Sequence, residues 1–222
     1  MLNESQAQKF SLEAQTSVDN VLKEHYQVYL LDILFSSPFA GELVFKGGTA
    51  LRLAYNSFRF SEDLDFSSSK AINYKLFEKT VLTVPKKFPE VSIKDLYNKR
   101  YNYFARLTFE VDYKSVPIGI KIELNKDTKR KLDYKVALMK SPFNNLEVTG
   151  NVFTLEQILE DKKLTLKERR APRDLFDTWY ICQKLGIDFK VPAKIKYTRK
   201  EVEQSLHYLL PKKYRMVVSE LL

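Results

Sequence analysis

Asp63 and Asp65 stand one residue apart in the run Phe60-Ser61-Glu62-Asp63-Leu64-Asp65-Phe66. Acids alternate there with apolar residues, so on a strand the two carboxylates share one face while Leu64 and Phe66 turn to a core. Two carboxylates side by side repel unless a cation lies between them, and an all-oxygen donor set suits Mg²⁺ or Mn²⁺. A metal that bridges carboxylates to phosphate oxygens can orient an attacking hydroxyl and neutralise a departing pyrophosphate. An isolated Asp-x-Asp reads equally as a solvated acidic edge, so its surroundings must decide.

Upstream, the β-forming run Leu43-Val44-Phe45 ends at Lys46-Gly47-Gly48, and Thr49 stands where the N-cap of a following helix is expected. A glycine turn leading into a helix N-terminus presents unpaired N–H groups and a positive dipole end to an anion. Gly-Gly at such a place also makes an ordinary turn. An Asp-x-Asp strand one helix downstream of that turn favours a site for a nucleotide triphosphate with its metal. Further along, Leu155, Ile158, Leu159 and Leu166 form the apolar stripe of a helix capped by Thr154, and Lys162 falls in the same stripe. A lysine facing inward needs a negative charge opposite it, so Lys162 is a candidate to meet a triphosphate or a catalytic acid, unless it snorkels at the stripe's edge.

The elements that would position these groups follow from periodicity. Residues 4–36 read as one or two amphipathic helices ending at Ser37-Pro38, and Tyr74 to Thr83 as a helix stopping before Pro85. Tyr103 to Tyr113 and Ile118 to Leu124 alternate as a β-hairpin with its turn at 114–117, and Val136–Leu138 and Leu146–Phe153 suit further strands. The polar, basic stretch Asn125 to Tyr134 reads as a loop, either solvated or tracking a nucleic-acid backbone. A final helix is expected from Thr198 to Leu210 within a basic tail. The organisation expected is a catalytic domain over 1–150 and a helical C-terminal domain over 151–222.

Composition narrows the class. The 222 residues, 44% hydrophobic and 29% charged, suit a globular protein with one substantial core. One cysteine and two histidines cannot build a disulfide or a thiolate–imidazole zinc cluster, so any metal must be held by oxygen. No signal pattern or membrane-length apolar run is present, and a cytoplasmic protein without membrane contact is expected. A formal charge of +9 favours a polyanionic partner such as RNA or DNA. Neither Gly-x-Gly-x-x-Gly nor Gly-Lys-Ser/Thr occurs, which disfavours kinase-like phosphoryl transfer.

Phe45-Lys46-Gly47-Gly48-Thr49-Ala50-Leu51 followed by Arg59-Phe60-Ser61-Glu62-Asp63-Leu64-Asp65-Phe66 resembles the signature of the AbiEii/AbiGii nucleotidyltransferase family, a branch of the DNA polymerase β-like nucleotidyltransferases. The spacer is slightly longer than the commonest superfamily version and fits this branch. The resemblance spans roughly residues 18 to 182, including Glu156 through Lys162, Arg170 and Pro172-Arg173-Asp174-Leu175-Phe176-Asp177. It implies an α+β nucleotidyltransferase fold, a mixed sheet flanked by helices with a helical C-terminal part. It further implies Asp63, Asp65 and, by similarity to the family's third acid, Glu123 as metal ligands, with Lys162 and Asp174 also catalytic. Nucleotide contacts are implied for Lys46, Gly47, Gly48, Thr49, Ser61, Lys162 and Arg173, with Asp177 and Arg173 as supports. The implied reaction is Mg²⁺-dependent transfer of an NMP from an NTP to an acceptor hydroxyl. RNA, in particular a tRNA 3′ end, is the implied acceptor, and the toxin half of a toxin–antitoxin or abortive-infection system the implied role. No stable protein partner is expected, a cognate antitoxin being the one the resemblance allows. The competing reading is a nucleic-acid-binding protein on the same fold without catalysis.

Overall fold

The structure is a computed structural model that describes residues 2–169, 171–191 and 196–222. Two helices open the chain, α1 (Glu4–Ala14) with a capping box at Asn3 and Gln6, and α2 (Val18–Phe35) capped by the Ser17 side chain. Then come β1 (Leu43–Lys46), α3 (Gly47–Tyr55) and β2 (Leu64–Ser68), followed by α4 (Tyr74–Val81) and the short α5 (Val84–Lys87). Five strands follow: β3 (Val91–Asn98), β4 (Asn102–Phe109), β5 (Ile118–Asn125), β6 (Tyr134–Lys140) and β7 (Glu147–Phe153). The chain ends with α6 (Leu155–Arg169), α7 (Pro172–Leu185), α8 (Arg199–Leu206) and a 3₁₀ segment, Lys212–Leu221.

The seven strands form one mixed sheet in the order β3-β4-β5-β2-β1-β7-β6. Alternation separates its faces. Phe45, Phe66, Ala105, Leu107, Ile120 and Ile122 turn to one side, where α2 supplies Leu22, Tyr26, Leu30 and Leu34 to the main core. On the other side Val44 and Phe153 meet Leu51 of α3, Ile158 of α6, and Ile181 and Cys182 of α7. Cys182 is the chain's only cysteine and is 5% exposed in this seam between sheet and C-terminal helices. A further apolar cluster joins α7, α8 and the 3₁₀ segment through Phe176, Tyr180, Leu206 and Val218.

Several expectations are corrected. Helix α4 does stop before Pro85, at Val81 rather than Thr83, and Pro85 sits in the first turn of the separate α5, where its missing N–H costs nothing. Strand β4 stops at Phe109 rather than running to Tyr113, because Lys114 N–H turns back to the Val111 carbonyl. The final helix ends at Leu206, short of Leu210, and Val91–Asn98 forms an edge strand that periodicity did not reveal. Strand β7, Glu147–Phe153, falls within the expected run Leu146–Phe153. Arg170 and residues 192–195 lie outside the described residues. Among the described residues, no helix is long and apolar enough to cross a membrane.

Candidate active site

Strand register puts the acids in line. Lys46 of β1 pairs with Asp65 of β2, Asp65 with Glu123 of β5, and Glu123 with Phe104 of β4. Side chains of register partners share a face, so this row lies opposite the main core. Asp63 immediately precedes β2, its carbonyl accepting a hydrogen bond of 2.5 Å from the Thr49 hydroxyl.

The glycine turn is built by conformation and by space. Gly47 has φ of +78°, a left-handed value that side chains resist, and a Cβ there would lie 2.7 Å from Asp65 Oδ2. A Cβ on Gly48 would stand 2.8 Å from Ser61 Oγ. The bare backbone therefore lies directly against the acid strand. The N-cap of α3 is Lys46 rather than Thr49, a correction that follows from the turn at Gly47, which starts the helix earlier. Thr49 sits inside the first turn, and its hydroxyl serves Asp63.

Two compartments meet at Asp65 and Lys162. The larger, about 280 Å³, is lined by Gly48, Ser61, Asp63, Asp65, Glu123, Lys162 and Arg173, together with Arg59, Glu62, Lys121 and Leu209. The other, about 230 Å³, is lined by Lys46, Gly47, Asp65, Asp161, Lys162, Thr165 and the apolar Phe153 and Ile158. Thr49 and Asp174, 1% and 0% exposed, lie beneath these surfaces and act through their neighbours.

Lys162 is held from behind. Its Nζ lies 2.8 Å from Asp174 Oδ1 and 2.6 Å from Asp177 Oδ2, both carboxylates coming from α7. Asp177 is also gripped by Arg59, whose Nε and Nη2 each donate at 2.8 Å. Arg59 and Lys162 thus supply positive charge without which burial of Asp174 and Asp177 would be costly. The segment between α3 and β2 is locked in the same way on both sides. Phe58 packs against Phe176, Arg59 binds Asp177, and Phe60 enters the main core while its N–H donates to the Leu209 carbonyl at 2.7 Å. The strand carrying Asp65 and the helices carrying Lys162 and Asp177 are thus fixed relative to one another.

The environments of the acids differ. Burial raises the pKa of Asp65, Lys46 and Lys162 counter that, and the charges of Asp63 and Glu123 add to the rise. Burial also works against charge on Asp177, but Arg59 and Lys162 overcome it and hold that carboxyl at about 2. A carboxylate beside two others is short of positive charge, whereas Asp177 already has its cations. Among the described residues no three His, Cys, Asp or Glu side chains converge on one point. Asp63 Oδ2 instead lies 3.6 Å from Lys121 Nζ, and Glu123 Oε2 accepts from Asn102 Nδ2 at 3.3 Å. Mg²⁺ is commonly held by one or two carboxylates with substrate phosphates and water completing its shell, so the hard oxygen donors of Asp63 and Asp65 fit it without a third.

Two residues escaped assignment from sequence. Arg59 stands in the glycine–acid signature, but its partner lies 118 residues away, so no local pattern reveals the pairing. Lys121 alternates with Glu123 on one strand face, a spacing that could have flagged it beside the acids.

A mixed sheet presenting carboxylates beside a glycine turn, with a lysine delivered from C-terminal helices, defines a nucleotidyltransferase. The chain belongs to the AbiEii family, whose model, described as "Nucleotidyl transferase AbiEii toxin, Type IV TA system", matches residues 29–213. Among solved structures, it is similar to MenT4, a nucleotidyltransferase toxin from Mycobacterium tuberculosis H37Rv, at 16% identity and a TM-score of 0.67, covering 100% of this chain and 88% of that one. It is also similar to JHP933 from Helicobacter pylori, at 18% identity and a TM-score of 0.58, covering 93% and 90%. At these identities the likeness shows the fold. No curated protein sequence matches the chain.

Proposed function

We propose that this nucleotidyltransferase moves an NMP from an NTP to a hydroxyl of an RNA, with a tRNA 3′ end as the acceptor, and that it acts as a toxin in the cytoplasm. The observation that carries the reading is the meeting of Asp63, Asp65, Gly47-Gly48 and Lys162 around two joined compartments. Asp63 and Asp65 would hold Mg²⁺, or Mn²⁺, which when bound neutralises phosphate charge and orients the reacting oxygens. Lys46 and Gly47 in one compartment, and Gly48, Ser61 and Arg173 in the other, would face phosphate oxygens. An ammonium has three donors, and with two given to Asp174 and Asp177 the third remains for a phosphate. Asp174 is thereby a positioning residue for Lys162.

In the reaction the acceptor oxygen forms a bond to the α-phosphorus, the bond from that phosphorus to the bridging oxygen breaks, and pyrophosphate leaves. The hydroxyl proton passes to Glu123, the register partner of Asp65. Residues 1–150 form the catalytic part and residues 151–222 a helical C-terminal part. No stable protein partner is needed for the chemistry, and a cognate antitoxin need not bind this chain.

Incubation of the pure protein with each labelled NTP, Mg²⁺ and total RNA, beside Asp65→Ala, tests the reading. Label on an RNA band with the unaltered protein alone is expected, and identifies nucleotide and acceptor together. No label with any NTP, with an RNA gel shift that Asp65→Ala leaves unchanged, would replace catalysis with nucleic-acid binding on the same fold.

A further inference from the structure

The row of residues that carries the acids does not stop at Glu123. Its next partner is Phe104 on β4, and Phe104 pairs with Tyr97 on β3, the edge of the sheet. Phe104 belongs to none of the apolar clusters, lying on the face opposite the main core, yet it is only 3% exposed. What surrounds it is polar-tipped. Tyr97 stacks on it with ring centroids 5.1 Å apart, Lys99 Nζ lies 4.0 Å from its centroid, and the Arg106 guanidinium 5.9 Å. At the tip of the β3–β4 hairpin Arg100 lies against Tyr101, which is 66% exposed, and Tyr97 is itself 40% exposed.

Exposed tyrosine rings interleaved with cations at a sheet edge are what a single-stranded nucleic acid requires. Bases stack on the rings whatever their identity, and the cations follow the phosphates. A duplex keeps its bases paired and cannot use the rings in this way. The row also gives direction, since a strand lying over Tyr97 and Phe104 leads straight toward Glu123 and Asp65. We infer that the catalytic face of the β3–β4 hairpin is the docking track for the single-stranded 3′ end of the acceptor RNA, with Tyr97 as a stacking platform and Lys99 as a phosphate contact, while Arg106, paired with Asp95 at 3.3 Å, borders the track. The identity of the acceptor as RNA rests on the function proposed above; the track itself rests on the register and the ring–cation geometry.

The test measures binding of a short fluorescein-labelled single-stranded RNA with a free 3′-hydroxyl by fluorescence anisotropy, across a salt series, for the unaltered protein, Tyr97→Ala and Lys99→Ala. Tyr208→Ala, altering a ring 76% exposed in the C-terminal part, serves as the comparison. Thermal unfolding of each variant confirms that it folds. Tyr97→Ala is expected to weaken binding about tenfold, and Lys99→Ala to flatten the salt slope by about one contact, with Tyr208→Ala unchanged. Duplex RNA should compete poorly, and single-stranded DNA of the same sequence less well than RNA. Equal affinity in all four proteins, or a duplex competing as well as a single strand, would overturn the track. Single-stranded DNA competing equally would overturn its assignment to RNA.

Nucleotide transfer measured in parallel separates the two readings. Transfer with unaltered RNA affinity and KM in Tyr97→Ala removes the track and keeps the enzyme. Tyr97-dependent RNA binding without transfer from any NTP keeps the track and removes the enzyme.

Discussion

Asp177 and Asp65 are both aspartates near Lys162, and their surroundings push them in opposite directions. Asp177 has its folded pKa lowered from 3.8 to about 2, so its ion pairs stabilise the protein fully above the ordinary carboxylate range and are lost as pH falls toward 2. Asp177→Asn strips charge from a buried cluster and should cost about 3–5 kcal/mol at neutral pH. The gap in Tm between the two proteins should shrink as the pH is lowered from about 5 toward about 2, as thermal unfolding across that window would reveal; a constant gap would mean that the carboxyl's charge is not what stabilises. Asp65 is the reverse case. Its folded pKa is raised, so its ionisation costs stability that grows as pH rises through the carboxylate range and persists above it. Asp65→Asn is therefore expected to raise the Tm of the metal-free protein at neutral pH by a few degrees while removing transfer. A lower Tm would contradict the assigned environment. An inward lysine in an apolar stripe called for a negative charge opposite it, a triphosphate or an acid, and the structure supplies Asp174 and Asp177. That Arg59 would share Asp177 with it was not legible, because ion pairing across 118 residues leaves no local trace.

At the level of elements, legibility followed periodicity. The hairpin strand Ile118–Asn125 alternates cleanly between buried and open positions, and its facing arrangement could be read directly. The edge strand Val91–Asn98 could not, since it lacks full burial on either face and its register shifts between Ile93 and Asp95. The α+β fold implied by the family resemblance is the fold found, whereas the start of α3 required knowing that Gly47 turns left-handed. That turn carries its own prediction. Gly47→Ala adds about 1–2 kcal/mol of backbone strain and drives a methyl group against Asp65 Oδ2, so transfer should fall about a hundredfold in protein that still folds. Kinetics with a matched circular dichroism spectrum would check this; unchanged turnover would show that the close approach of turn and strand is dispensable.

Taken whole, the molecule is a sheet with its working face closed by helices that meet it across an apolar seam, and Cys182 lies in that seam. Burial raises its thiol pKa and keeps reagent away, so the native protein should react slowly with a thiol-specific reagent. With no other cysteine in the chain, each modification event records one parting of helices from sheet. Labelling followed by mass spectrometry then acts as a clock on native-state opening. An NTP that bridges Lys162 and the acid strand should slow that clock, and Asp177→Asn, which loosens the same junction, should speed it. Identical rates in all three cases would mean that the seam opens independently of the site. The lone cysteine, chemically idle in the reaction, thereby makes the breathing of the unmodified protein countable without an introduced probe.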